Sequence, residues 1–278
     1  MNNPIWFITG ISSGIGKHLA DTALAAGDFV IGTFRKQAQV DAFNQTHGNA
    51  GRALLMDITD AAAVEAGFRT IEADFGRLDY LVNNAGFGIA GAVEETSEAE
   101  LRAVFEANFF ATVAVTRRAL PLMRRQKRGR ILQISSHGGV RAFPGFGVYN
   151  ASKFALEGIS EALAIEVKPL GIHVTIVEPG PFRTAFAGSG FRQAATRLDA
   201  YADTAGKFRN LMAGIDGKQP GDPQRAAEVI FQTAKMEEPP LRLPLGKIAV
   251  TNIKAKLDSV RADVERYEAT GVETEFAG

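Results

Sequence analysis

Short apolar runs alternate along the chain with longer segments in which apolar residues recur every three to four positions. The runs are Ile5 to Thr9, Phe29 to Thr33, Ala53 to Met56, Leu78 to Asn83, Gly129 to Ser135 and Ile172 to Val177, and helical patterns over about 15–26, 36–47, 60–75, 98–126 and 148–168 separate them. This is the β-α-β rhythm of a parallel sheet. Each run is nearly all apolar, as strands are when helices cover both faces. A candidate seventh strand stands at Leu241 to Pro244. A last helix, about 252–268, carries Ile253, Leu257, Val260 and Val264 on one stripe, suited to covering a pocket or a subunit contact. Pro121 is expected to bend or end the long helix, and Pro169 with Gly171 to stop the helix before the sixth strand. From about 185 to 223 the pattern weakens, and Gly, Pro, Ala and Asp accumulate. That stretch reads as an insertion within a single domain spanning 1–278, of the kind that often forms a lid.

Composition narrows the function classes. A chain of 278 residues is long enough to bury a large core within one α/β domain. Thirty-one basic residues balance thirty-one acidic ones, so no overall charge draws the protein to nucleic acid or to an anionic membrane. Cysteine is absent, which excludes disulfides and thiolate chemistry and removes the usual ligands of a structural zinc. His18, His47 and His173 lie far apart and form no ligand set, so no catalytic metal is expected. The N-terminus shows no basic leader and no long apolar run, which gives the expectation of a cytoplasmic protein.

Two motifs carry candidate chemistry. The first strand runs into Thr9-Gly10-Ile11-Ser12-Ser13-Gly14-Ile15-Gly16, followed by an apolar-periodic helix. Glycines there let backbone approach a pyrophosphate, and a helix N-terminus favours its charge; an ordinary glycine-rich turn is the plain alternative. Tyr149 and Lys153 stand four apart, on one face of a helix. A free phenol has a pKa near ~10, and a neighbouring ammonium favours its ionised form, so the pair can act as general acid and base if it lines a cleft. By itself such a pair also occurs on solvated helices.

Six separated motifs in order over about 4–184 give the chain a resemblance. The glycine turn has the form Gly-x-x-x-Gly-x-Gly with a Thr ahead of it. Asn83-Asn84-Ala85-Gly86 follows the fourth strand, Asn108 stands in Asn108-Phe109-Phe110, and Ser136 lies thirteen residues before Tyr149 in Tyr149-x-x-x-Lys153. Pro179-Gly180 closes the sixth strand. In these features the chain resembles the short-chain dehydrogenase/reductases, and its Asn-Phe-Phe and C-terminal length are similar to the steroid and retinol dehydrogenase-like branch. The resemblance implies a Rossmann-type doubly wound parallel sheet of about seven strands with helices on both faces.

It also implies roles. Asn108, Ser136, Tyr149 and Lys153 would be catalytic. Lys153 would bind the nicotinamide ribose and lower the Tyr149 pKa, Ser136 would hydrogen-bond the substrate oxygen, Tyr149 would pass the proton, and Asn108 would support a water linking Lys153 to solvent. Gly10, Ser12, Ser13, Gly14, Ile15, Gly16, Asp57, Ile58, Asn84, Ala85, Gly86, Pro179, Gly180 and Thr184 would contact the cofactor together with Tyr149 and Lys153. Asp57 would hold the adenine amino group and Thr184 the carboxamide. No acidic residue ends the second strand. Phe34 stands where members preferring NAD carry Asp, and Arg35 where members preferring NADP often carry Arg, so the expected cofactor is NADP(H), with Lys36 as a second cation. Bringing a phenol from ~10 to ~7 takes about 4 kcal/mol, more than one exposed ammonium supplies, so chemistry is expected only with cofactor bound.

On the substrate side, Ser136, His137, Phe143, Phe146, Tyr149, Phe182 and Phe186 are the expected contacts, with Phe87, Ile89, Pro144, Phe191, Phe208, Leu211 and Met212 nearby. His137 fits a pocket wall better than a second acid or base. An apolar wall suits a hydrophobic ketone, aldehyde or secondary alcohol. The expected function is therefore carbonyl reduction or alcohol oxidation, with an NAD-dependent alcohol dehydrogenase or a non-catalytic nucleotide-binding redox sensor as alternatives. The resemblance further implies a homodimer or homotetramer paired through the long helix and the Tyr-Lys helix.

Overall fold

The computed structural model describes residues 3–188 and 190–276. Seven parallel strands form one sheet: β1 (Ile5–Ile8), β2 (Phe29–Phe34), β3 (Gly51–Leu55), β4 (Tyr80–Asn83), then, after the short β5 (Gly88–Ala90), β6 (Gly129–Ile134), β7 (Ile172–Pro179) and, beyond β8 (Phe191–Gln193), β9 (Arg242–Leu245). Their order across the sheet is β3-β2-β1-β4-β6-β7-β9. The chain reverses direction across the sheet between β1 and β4, and a crevice opens beyond the carboxyl ends of strands at such a switch point.

Alternation along β1 shows why the strands read as solid apolar runs. Ile5 and Phe7 join one core with α3 (Ala61–Phe75), α5 (Ala111–Gln126) and α6 (Gly147–Val167). Trp6 and Ile8 join the other with α1 (Gly14–Ala25), Val40 of α2 (Gln37–His47) and α8 (Pro223–Ala234). With both faces covered, each position of β1 is buried whichever way it points.

Four expectations need correction. The long helix is not one regular helix: α4 (Glu98–Phe105) passes through a π-helical turn over Glu106–Phe110 into α5. Pro121 does not end α5, because Leu122 and Met123 beyond it are buried in the core and hold the last turn in place. The third strand is Gly51–Leu55 rather than Ala53 to Met56, aligned by pairing Val30 with Gly51 through Phe34 with Leu55. The stretch 185–223 is more ordered than its composition suggests. Its β8 pairs in parallel with β5, and it carries α7 (Lys207–Ile215). The last helix, α9, runs over Lys247–Val272.

Candidate active site

At the switch point the turn after β1 uses positive φ at Gly10 (69°) and Gly14 (62°), conformations open to glycine at no steric cost. Gly16 faces Asn84 so closely that a Cβ there would lie 2.2 Å from Nδ2. That Nδ2 donates to the carbonyls of Thr9 (2.9 Å) and Gly10 (3.0 Å), while the Thr9 hydroxyl accepts from the N–H groups of Asn84 (2.9 Å) and Ala85 (3.0 Å). The two loops are thereby locked together. Ser13 at the start of α1 makes no side-chain cap, and the first turn of α1 contains no acidic residue. Its free amides and the helix dipole fit a pyrophosphate. Ser12 and Ser13 are exposed beside them, and Ile15 is half-buried. A Cβ on Gly14 would reach Thr184 at 3.5 Å, so the segment after β7 meets the same turn. Pro179 is buried at the end of β7, and the Gly180 N–H donates to Leu245 (2.9 Å).

Farther along the edge, Arg35 and Lys36 are exposed between β2 and α2, next to a hollow lined by Ile11, Ser12 and Phe34. The exposed Asp57 accepts from the N–H (3.0 Å) and hydroxyl (2.8 Å) of Thr59. The Ile58 side chain is buried in the core, leaving only its backbone at the edge. Gly86 is exposed above Asn108 and Lys153, whose Oδ1 and Nζ would lie 2.8 and 3.8 Å from an added Cβ.

The four candidate catalytic residues converge from three elements. Asn108 lies in the π turn and is fully buried. Its Nδ2 donates to the Phe87 carbonyl (2.9 Å) and the Ser152 hydroxyl (3.0 Å), and its Oδ1 accepts from the Phe87 N–H (3.0 Å). The Ser152 hydroxyl in turn donates to the Tyr149 carbonyl (2.7 Å). Bonding from i to i+5, one residue wider than in the α-helices on either side, points Asn108 into this junction, a common use of π-bulges. Lys153 Nζ donates to the Ile134 carbonyl at the end of β6 (2.8 Å) and stands 5.9 Å from the centre of the Tyr149 ring. Ser136 is 8% exposed and bonded to Tyr149, whereas Ser135 is turned inward toward Glu157.

Aromatic rings wall the site. Phe146 stacks on Tyr149 (4.2 Å, 17°), Phe186 lies 5.6 Å from it, and Phe191 and Phe208 pack behind Phe146 at 5.6 and 5.0 Å. His137 pairs with Phe143 (5.0 Å) beside them. Phe182 does not join this group. It bridges to Gly221 and packs on the core beneath α8 and β9, so its place as a substrate contact is not supported.

The comparisons with known proteins settle the family. The short chain dehydrogenase family profile matches residues 4–195, well over half of the chain. The chain belongs to the short-chain dehydrogenase family. Among curated relatives, oxidoreductase BOA17 of Botryotinia fuckeliana is 36% identical over 95% of this chain and 96% of its own. A 3-ketodihydrosphingosine reductase of Bacteroides thetaiotaomicron is 37% identical over 89% and 90%, and an NADPH-dependent 3-dehydrocapnine reductase of Ornithobacterium rhinotracheale 37% over 75% and 74%. A crystal structure of a short-chain dehydrogenase from Streptomyces avermitilis superposes with a TM-score of 0.93 at 43% identity, covering 99% of this chain and 100% of that one.

The electrostatics of this dehydrogenase differ from expectation. Burial pushes the Tyr149 phenol up to about 12, against a hydrogen bond from Ser136 that lowers it. Burial brings Lys153 down to about 8, with the Glu157 charge opposing. A cation at 5.9 Å does not overcome desolvation, so Tyr149 is held protonated until something else arrives. His137 is pushed down to about 4 by burial and by Arg141, which keeps it neutral and suits it to a wall rather than an acid.

Three groups escaped the sequence reading. Ser152 and Asn150 are structural pins: Asn150 donates to the Gly138 carbonyl (2.8 Å) and accepts from the Phe143 N–H (3.0 Å). Glu157, one turn beyond Lys153, is buried against Glu178 and Arg242, the guanidinium lying 2.6 Å from its carboxylate. Burial first, then the Glu178 charge, lifts the Glu157 carboxyl to about 7. Glu95 is buried with Arg209 of α7 and also accepts from Ala92 (2.7 Å) and Leu198 (2.9 Å). Its neighbours Glu94 and Glu100 accept from the Tyr201 hydroxyl (2.6 Å) and the Ala195 N–H (3.0 Å). Carboxylates before and within α4 therefore fasten the segment that carries Phe208 behind Phe146. The Glu at the fourth place after Lys153 was the one visible signal for the first network; the fastening joins residues too far apart in sequence to be read together. Among the described residues there is no cluster of metal-ligating side chains and no helix long and apolar enough to cross a membrane.

Proposed function

We propose that this short-chain dehydrogenase interconverts a hydrophobic ketone or aldehyde and its alcohol, with NADP(H) as the hydride carrier. The observation that carries the reading is Tyr149: a buried phenol paired with Ser136, reached by Lys153 and walled by Phe146 and Phe186. When bound, the nicotinamide supplies or accepts the hydride. Ser136 orients the carbonyl oxygen, and Tyr149 gives it a proton in reduction or takes one in oxidation. Lys153 favours the phenolate, and Asn108 with Ser152 fixes the turn of α6 from which Tyr149 projects. The uncapped start of α1 and the close Gly16–Asn84 approach fit a dinucleotide. Bringing Tyr149 from about 12 to near 7 takes roughly 7 kcal/mol, so the nicotinamide's positive charge is needed to reach the phenolate.

Arg35 and Lys36 support NADP(H) over NAD(H), since a guanidinium can pair bidentately with the extra phosphate for about 1.5 to 3 kcal/mol. One relative is by name an NADPH-dependent reductase of a 3-dehydro compound, which points the same way. The test is the ratio of kcat/KM for NADPH over NADH in wild type and Arg35→Asp. A fall of about ten- to a hundredfold is expected. An unchanged ratio would remove Arg35 from the cofactor site.

A further inference from the structure

We propose that α9 is a self-association arm, pairing antiparallel with α9 of a second copy of the chain. Ala249, in its first turn, is the sole buried residue of this helix. Asn252 then anchors it to the body through Arg141 (3.1 Å) and His137 (3.1 Å), and from residue 257 onward every described residue is exposed. A helix draws most of its stability from packing an apolar face, and this one presents such a face to solvent. Leu257 is 56% exposed, Val264 62% and Tyr267 58%.

The face has a specific pattern. Val250, Ile253, Leu257, Val260, Val264 and Tyr267 follow steps of three and four alternately, the seam of two paired helices, about 27 Å long. The charges beside the seam choose the orientation. In a parallel pair, Lys256 meets Arg261 of the other copy and Asp263 meets Glu268, so every flanking pair repels. In an antiparallel pair that seats Leu257 on Val260, Lys256 meets Asp263 and Lys247 meets Glu268, and only Lys254 with Arg261 repels. Charge complementarity therefore selects a second copy, running the opposite way. The surface is distinct from the long helix and the Tyr-Lys helix.

Light scattering and sedimentation at low salt on the full chain test this. Leu257→Glu and Val264→Glu, both at exposed positions, are expected to halve the particle mass while leaving turnover within twofold. Asp263→Lys should weaken association about tenfold, and Lys256→Asp with Asp263→Lys should restore it. Because the chain has no cysteine, Val250→Cys and Tyr267→Cys chains co-expressed under different tags should link to each other and not to themselves. Unchanged mass in Leu257→Glu would overturn the proposal. So would tighter association in Asp263→Lys or self-linking of each single variant, both marks of a parallel pair. Pelleting of a monomeric wild type with anionic vesicles, lost in Val264→Glu, would assign the face to lipid instead.

Discussion

At the scale of single residues, the chemistry turns on how burial competes with charge. Tyr149 is held at about 12 and Lys153 at about 8, so the pair rests as a neutral phenol beside an amine that still carries its proton at neutral pH. In the cofactor-free protein, a phenolate absorbance titration should show no Tyr149 ionisation below about pH 11, and saturating oxidised cofactor should move that step down by several units. Ionisation near pH 7 without cofactor would mean that Lys153 alone sets the phenol. Glu157 gives a second pH effect. Its carboxyl is near 4.5 in the unfolded chain and about 7 in the fold, so the folded protein keeps a proton that the unfolded chain releases between those values. The contribution is present in full below pH 4.5 and is lost as pH rises to about 7, roughly 3 kcal/mol in all; Glu178, also raised, acts in the same direction. Glu157→Gln should flatten the fall in unfolding midpoint between pH 5 and pH 8. An identical slope in the variant would exclude Glu157 as its source. The spacing of Tyr149 and Lys153 was plain in the sequence. The sign of the Tyr149 shift was not, because desolvation depends on Phe186 arriving from a distant segment and on how Phe146, at the start of the same helix, folds back onto the phenol.

At the scale of elements, strands and helices were legible because each repeats one pattern. β1 and β2 are covered on both faces and so appear as nearly solid apolar runs. What escaped was built from breaks in pattern. The π turn over Glu106–Phe110 re-aims Asn108 with no Gly or Pro to mark it, and β5 and β8 are three residues each, too short to carry a period. The segment that carries Phe208 looked loose in composition because its order comes from carboxylates supplied by residues 94–100. Arg209→Met would leave the buried Glu95 without its cation. Amides of residues 198–215 should then exchange with deuterium at least tenfold faster, while β6 and α6 keep wild-type protection. Equal protection in that segment would show that aromatic packing alone holds it.

For the whole molecule, the order β3-β2-β1-β4-β6-β7-β9 brings the glycine turn, Asn84, Ser136, Tyr149 and Thr184 to one edge of one sheet. Six motifs scattered over the chain thus meet at one edge, and it was their order along the sequence that made the architecture readable. The same logic misplaced Phe182, since closeness to Pro179-Gly180 in sequence says nothing of which side of the sheet a ring takes; Gly221 and Gly246 leave room for it on the far side. We propose that Tyr149 transfers the proton in carbonyl reduction. It is tested most directly by following NADPH absorbance with a panel of long-chain 3-keto, alicyclic and aromatic ketones for wild type and Tyr149→Phe, with NADPH binding measured separately. Cofactor binding within about threefold of wild type and turnover reduced by roughly 10² to 10⁴ are expected. Full turnover in Tyr149→Phe would contradict it.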